Sequence, residues 1–189
     1  MLITRAQLSN FFSASLLSIC PPEEQLITKC TVARYRNPPE GVSYDSNPTV
    51  FGQILDGHLD CCEISETDDL FTFHDRCPRA SLHALVIPKR FIPSVYDLDP
   101  RHDLELVEEM KRCALEAIKV EQPKSYEDND FILCFHVPPF TSVGHLHLHV
   151  LAPASKMKYQ YRYGKYLEGS MWCTSLNTVL DSLVKGGIA

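Results

Sequence analysis

Three histidines at alternate positions, in the run His145-Leu146-His147-Leu148-His149-Val150-Leu151, are the strongest chemical signal in the chain. Successive side chains of a β-strand point to opposite faces. A strand here turns all three imidazoles toward one site while Leu146, Leu148 and Val150 enter a core. Imidazole, with an ordinary pKa of about 6.5, is largely neutral at pH 7 and can act as nucleophile, acid, base or metal ligand. Such a row suits a metal centre, attack on phosphorus, or no chemistry at all, as the wet face of an amphipathic strand. Residue type disfavours the last, since solvated strand faces draw on Thr, Ser, Lys and Glu.

The flanking residues separate the other two. Zinc bound by histidines takes a third or fourth ligand, and carboxylates steady its imidazoles. The row is followed by Val150-Leu151-Ala152-Pro153, and the nearest acidic residue before it is Asp130. Neither a metal nor a cofactor is therefore expected to take part. Transfer of a phosphoryl or nucleotidyl group needs a neutral imidazole whose second nitrogen is held by an acceptor, with donors waiting for the phosphoryl oxygens. Ser142 and the main-chain amides of Val143 and Gly144 lie just before the row, where a loop can cradle a phosphate. His147, in the middle, is the natural nucleophile. His145 and His149 flank it and donate to phosphoryl oxygens or to the leaving group.

A scaffold must position these groups. Apolar segments at about 61–66, 70–74 and 82–87 read as strands, and residues 51–55 as a short helical turn. A long helix is expected from an N-cap at Asp99, with Pro100 at its first position, to about Val120. Leu104, Val107, Met110, Ala114, Ala117 and Ile118 form its apolar stripe. Residues 131–137 read as another strand and 138–144 as a tight connection, so the histidine strand pairs antiparallel with its predecessor. The implied class is α+β: an antiparallel sheet of about five strands with one long helix, plus N- and C-terminal extensions. Pro21, Pro22, Pro38, Pro39, Gly41 and Pro48 mark 20–49 as linker. The chain divides into an extension over 1–49, with a helix at about 4–19, a compact domain over 50–153, and a tail over 154–189. The tail holds a short helix capped by Thr174 or Ser175.

Composition narrows the function further. With 189 residues, 44% hydrophobic and 22% charged, the chain is of ordinary size for one globular domain. A net charge of −6 argues against a surface built for nucleic acid or anionic lipid. No stretch approaches the roughly 18 apolar residues of a membrane span. The eight cysteines show no two-residue spacing, so reduced thiols in a cytosolic or nuclear setting are expected. The acid-free first 22 residues hold a single arginine, Arg5, fewer than an organellar transit peptide carries. A helix packed on the domain is the preferred reading there. The segment 156–166 departs from the acidic balance, with four basic residues among four tyrosines. It suits a nucleic-acid contact or, by preference, a segment closing over the site or a partner subunit.

The run HLHLHVL resembles the motif of the histidine-triad (HIT) superfamily. Phe73-His74-Asp75-Arg76-Cys77-Pro78-Arg79-Ala80 and His83-Ala84-Leu85-Val86-Ile87-Pro88-Lys89-Arg90 resemble the upstream half of its Hint branch. His136-Val137-Pro138-Pro139-Phe140 ahead of Ser142, with Trp172 near the end, resembles the subgroup with a Pro-Pro-Phe loop. The likeness spans about 50–153. It implies a HIT-like fold, a homodimer, and a purine nucleotide substrate. His147 would form a covalent nucleotidyl-histidine that water hydrolyses. The substrates implied are nucleoside phosphoramidates or acyl-adenylates, AMP is the product, and no metal is required. By the same resemblance His149 and Ser142 contact the phosphate, His145 orients the nucleophile, and His83 completes a group of four histidines. Asp75 takes the ribose hydroxyls, and Val50, Phe51, Ile54, Leu59 and Phe73 wall the purine pocket.

The sequence also departs from that pattern. Phe91 stands where many relatives carry histidine, and His136 where the main Hint group carries asparagine. The two prolines cannot donate amides to a phosphate. Alternative functions are a nucleotide-binding regulator of low turnover, a metal-dependent hydrolase, and a DNA-adenylate-processing protein. Relatives of the last kind add a zinc finger, and no cysteine-histidine pair here has that spacing.

Overall fold

A computed structural model describes residues 34–187; the helix expected at about 4–19 lies outside the described residues. The strands are β1 (Arg34–Tyr35), β2 (Asp60–Cys61), β3 (Glu63–Glu66), β4 (Leu70–His74), β5 (Leu82–Pro88), β6 (Ile132–His136), β7 (Leu148–Ala152) and β8 (Cys173–Ser175). The α-helices are α1 (Val50–Leu55), α2 (Leu104–Glu121), α3 (Pro123–Glu127) and α4 (Leu176–Val184). One antiparallel sheet runs in the order β3-β4-β5-β7-β6-β8, and β1 pairs separately with β2. The class is α+β, as expected. The sheet gains a sixth strand from the tail, because β8 is too short to show a periodic signal of its own.

Period-two alternation divides the sheet into two faces. Leu82, Ala84 and Val86 of β5, Leu133 and Phe135 of β6, and Leu148, Val150 and Ala152 of β7 pack under α2, which contributes Val107, Met110, Ala114 and Ile118. The opposite face carries a second apolar cluster of Phe51, Ile54, Leu55, Phe71, Phe73, Leu85 and Ile87. β5 and β7, at the centre, are buried on both sides. That is why their sequences hold so few charged residues.

Two local expectations change. The long helix starts at Leu104, after Asp103, and not at Asp99. Asp99 forms a preceding turn: its carboxylate accepts from the Arg101 amide at 2.9 Å and its carbonyl from the Asp103 amide at 2.8 Å. Asp103 accepts from the Asp99 amide at 2.8 Å and pairs with Arg90, so Pro100 lies in the turn. The second change concerns the thiols. Cys62 and Cys77 are disulfide-bonded, whereas Cys61, Cys113, Cys134 and Cys173 are free. The expectation of uniformly reduced cysteines rested on spacing, which says nothing about segments that meet in space.

The segment before α1 is held against the site's side of the sheet. Arg36 is buried, pairs with Glu66, and donates to the Leu55 carbonyl; Lys89 reaches Glu66 at 2.7 Å. Thr49 caps α1, accepting from the Phe51 amide at 3.2 Å. Gly52 is obligatory here, because a Cβ at that position would sit 2.1 Å from the Asn47 carbonyl oxygen. α4 begins as expected, with Ser175 Oγ accepting from the Thr178 amide at 3.1 Å.

Candidate active site

Only the C-terminal half of the histidine row lies in a ladder, since β7 begins at Leu148. The alternation nonetheless holds through residues 145–147, where the Leu146 amide donates to the Ile92 carbonyl at 2.7 Å. Leu146, Leu148 and Val150 enter the core beneath α2, and His145, His147 and His149 are buried on the other face. β5 lies beside β7, with Leu85 opposite His149 and His83 opposite Leu151, and so brings His83 to the same face. β6 adds His136 from the other flank.

Hydrogen bonds fix which nitrogen of each ring is available. His147 Nδ1 donates to the His145 carbonyl at 2.6 Å, leaving the Nε2 lone pair bare. His145 Nε2 donates to the Pro88 carbonyl at 3.0 Å, and its Nδ1 accepts from Asn47 Nδ2 at 3.4 Å. Phe91 stacks on the His145 ring with centroids 5.6 Å apart. A relay fixes the remaining pair. The Arg79 amide donates to His83 Nδ1 at 3.2 Å, so His83 carries its proton on Nε2 and donates to His149 Nδ1 at 3.0 Å. His149 must then hold its proton on Nε2, an atom that is buried and has no partner among the described residues. A bare lone pair on His147 and an unanswered N–H on His149 thus sit on neighbouring rings, 4.9 Å between centroids.

Burial keeps these rings neutral at pH 7. Desolvation is the largest cause throughout, lowering His145 to about 4 and His136 to about 3. It lowers His83 and His147 against the attraction of Asp75, and His149 well below the ordinary value. Positive charge comes from Lys165, half-buried on the π-helical turn Tyr161–Lys165. Its carbonyl accepts from His136 Nε2 at 3.0 Å and its Nζ lies 5.6 Å from the Tyr166 ring centroid. Tyr166 is buried with centroids 5.2 to 5.6 Å from those of His83, His136 and His149.

Most of the residues anticipated for nucleotide binding lie at the His145 end. Phe51 is edge-on to His147 and His145, at 5.4 and 5.9 Å, and Ile54, Phe73, Leu59 and Val143 share its apolar cluster. Val50 stands apart, 41% exposed at the start of α1. Asp75 Oδ1 caps a turn by accepting from the Cys77 amide at 2.6 Å, while Oδ2 lies 3.6 Å from His83 Nε2. Ser142 and Gly144 are exposed on the loop before the row. The segment 156–166 closes over the imidazoles through Tyr166. Asn47 escaped the sequence reading because it comes from outside 50–153 and carries no motif of its own, whereas Lys165 and Tyr166 belong to the basic, tyrosine-rich segment whose pattern does not single them out.

Two sets of side chains have ligand atoms within 4.8 Å of one another: His136, His147 and His149, and Asp75, His83 and His149. Both sets use His149. In the first set a metal on His149 Nε2 would have to displace the proton that the relay places there; in the second it would replace the hydrogen bond between His83 Nε2 and His149 Nδ1.

An antiparallel sheet that presents three alternating histidines, backed by a fourth, defines a histidine-triad protein. The family described as "Scavenger mRNA decapping enzyme C-term binding" matches residues 48–164. The chain belongs to that family and, within the histidine-triad superfamily, to the Hint branch. It is 36% identical over 148 residues to "Adenosine 5'-monophosphoramidase HINT3" of Mus musculus, covering 77% of this chain and 87% of the mouse protein. It is 42% identical over 88 residues to "Bifunctional adenosine 5'-phosphosulfate phosphorylase/adenylylsulfatase HINT4" of Arabidopsis thaliana, covering 46% of this chain and 58% of that one. A HIT family hydrolase from Clostridium thermocellum shares the fold, with a TM-score of 0.50 and 22% identity over 55% of this chain and 89% of the other.

Proposed function

We propose that the protein is a nucleotide hydrolase that releases AMP from adenosine phosphoramidates or acyl-adenylates, with His147 as nucleophile. The observation that carries this reading is the hydrogen bond from His147 Nδ1 to the His145 carbonyl, which orients a bare Nε2 next to the unanswered Nε2–H of His149. The mouse relative's name, an adenosine 5'-monophosphoramidase, supports the same reaction class.

The chemistry follows from these atoms. His147 Nε2 attacks the α-phosphorus, forming an N–P bond as the bond to the leaving nitrogen breaks. His149 Nε2–H donates to the departing nitrogen, and the amine leaves with a proton relayed through that ring from solvent. Water then attacks phosphorus, the bond to His147 breaks, AMP departs, and the water's proton returns to solvent. His145, clamped between Pro88 and Asn47, positions the carbonyl that fixes the nucleophile. Phe51, with Ile54, Phe73, Leu59 and Val143, forms the apolar wall for a purine. Ser142, the Val143 and Gly144 amides and Asp75 are the candidates for phosphate and ribose contacts, with Val50 at the rim.

Incubating the protein with adenosine 5'-phosphoramidate and following AMP by chromatography tests the reading. Steady turnover in the presence of a chelator is expected, and no AMP above the uncatalysed rate overturns it. The homodimer implied by the resemblance is part of the proposal. Light scattering should give twice the chain mass of 21.4 kDa, whereas a monomeric mass at micromolar protein rules the dimer out.

A further inference from the structure

A nucleotide's α-phosphate brings negative charge into a row of neutral imidazoles, so some other group must supply a counter-charge. The nearby cations are mostly committed. Arg79 Nη1 donates to Tyr161 Oη at 2.7 Å with its guanidinium 4.6 Å from that ring's centroid, Lys89 and Arg36 pair with Glu66, and Arg90 pairs with Asp103. Lys165 differs. Its main chain is anchored to His136 and its ammonium stands over Tyr166, the ring that touches His83, His136 and His149. Among the described residues no carboxylate lies within 4.0 Å of its Nζ.

Position along the row matters as much as charge. The apolar wall around Phe51 adjoins His145 and His147, whereas Tyr166 and Lys165 adjoin His149 and His136 at the other end. A nucleoside seated against Phe51 directs the far side of its phosphate, and the group attached there, toward Lys165.

We propose that Lys165 reads the charge of the leaving group, favouring adenylates whose departing group is an anion, such as a sulfate or a carboxylate, over those that lose a neutral amine. The inference rests on the AMP-releasing reading of the site and deepens it. Proton balance differs between the two classes. An amine must leave with a proton, which His149 relays. A sulfate leaves with the electron pair of the broken P–O bond and needs no proton, only a cation to offset the charge it carries away. A half-buried ammonium that Asp75 attracts only from beyond ion-pair distance meets that need, because a charge-assisted contact is strong where water is partly excluded.

The test measures binding and turnover separately. Calorimetry with His147→Ala protein, which holds substrate without consuming it, compares adenosine 5'-phosphosulfate with adenosine 5'-phosphoramidate. Adding Lys165→Met should shift the ratio of the two affinities by about 10-fold against the phosphosulfate, and Lys165→Arg should restore most of it. Equal losses on both ligands mean that Lys165 is only structural, and no loss on the phosphosulfate means that it does not meet the leaving group; either overturns the inference. Absence of AMP release by wild-type protein would instead overturn the hydrolase reading, and the affinity ratio would still decide the role of Lys165.

Discussion

His147→Ala is expected to lower the rate of AMP release by at least about 10^4-fold, because it removes the atom that attacks phosphorus and leaves water as the only nucleophile. Neither flanking imidazole of the row can take over. His145 has both nitrogens engaged, by Pro88 and Asn47, and His149 presents a proton where a nucleophile needs a lone pair. His147→Gln, which keeps bulk against Phe51, should be as inactive as the alanine variant, whereas a packing role would let glutamine recover part of the rate. Both variants should bind AMP, since the apolar wall is intact. Acid-quenched wild-type enzyme should carry one adenylyl group on His147 by peptide mass spectrometry. A His147→Ala enzyme that keeps more than about a tenth of wild-type turnover would remove His147 as the nucleophile.

The triad was legible because its signal is periodic. Alternation places His145, His147 and His149 on one face whether or not each residue joins a ladder, and the structure keeps that face even though β7 starts only at Leu148. α2 was legible for the same reason, its stripe of Val107, Met110, Ala114 and Ile118 being spaced for one face. Its start was misplaced because Asp99 followed by Pro100 reads as a cap in a sequence, whereas in the fold Asp99 and Asp103 bond each other in a turn and the helix begins only after it. Asn47 and Lys165 lie outside the domain that composition outlined, yet they hold His145 and His136 by single hydrogen bonds. Such contacts depend on how the chain returns to the sheet, which no local pattern encodes. Nor could spacing show that His83 and His149 would share one proton relay, since that requires β5 and β7 to be neighbours in the observed register.

The second large effect is a loss of stability in mild acid, caused by the same five histidines. Their pKa values in the folded protein are lowered by burial, to about 4 for His145 and about 3 for His136, and in the same direction for His83, His147 and His149. At pH 7 these rings are neutral in the folded chain and mostly neutral in the unfolded one, so they impose little pH dependence. Below the unfolded value of about 6.5 the unfolded chain binds protons that the folded one refuses, and the folded state loses about 1.4 kcal/mol per pH unit for each such ring. That loss continues down to each folded pKa. Glu66 acts lower on the scale: burial raises its pKa, but Arg36 and Lys89 outweigh it and hold the carboxyl below the usual range, so its contribution fades from the ordinary carboxylate value down to that depressed one. Total stabilities are typically about 5–15 kcal/mol, so several rings titrating together should unfold the protein well above pH 4. Thermal denaturation at pH 7, 6 and 5 is expected to show a steep fall in midpoint, with a shallower fall in His136→Asn, which removes one of the rings. Midpoints that stay level from pH 7 to pH 5 would mean that the imidazoles accept protons without unfolding, and that the site is open to water when empty.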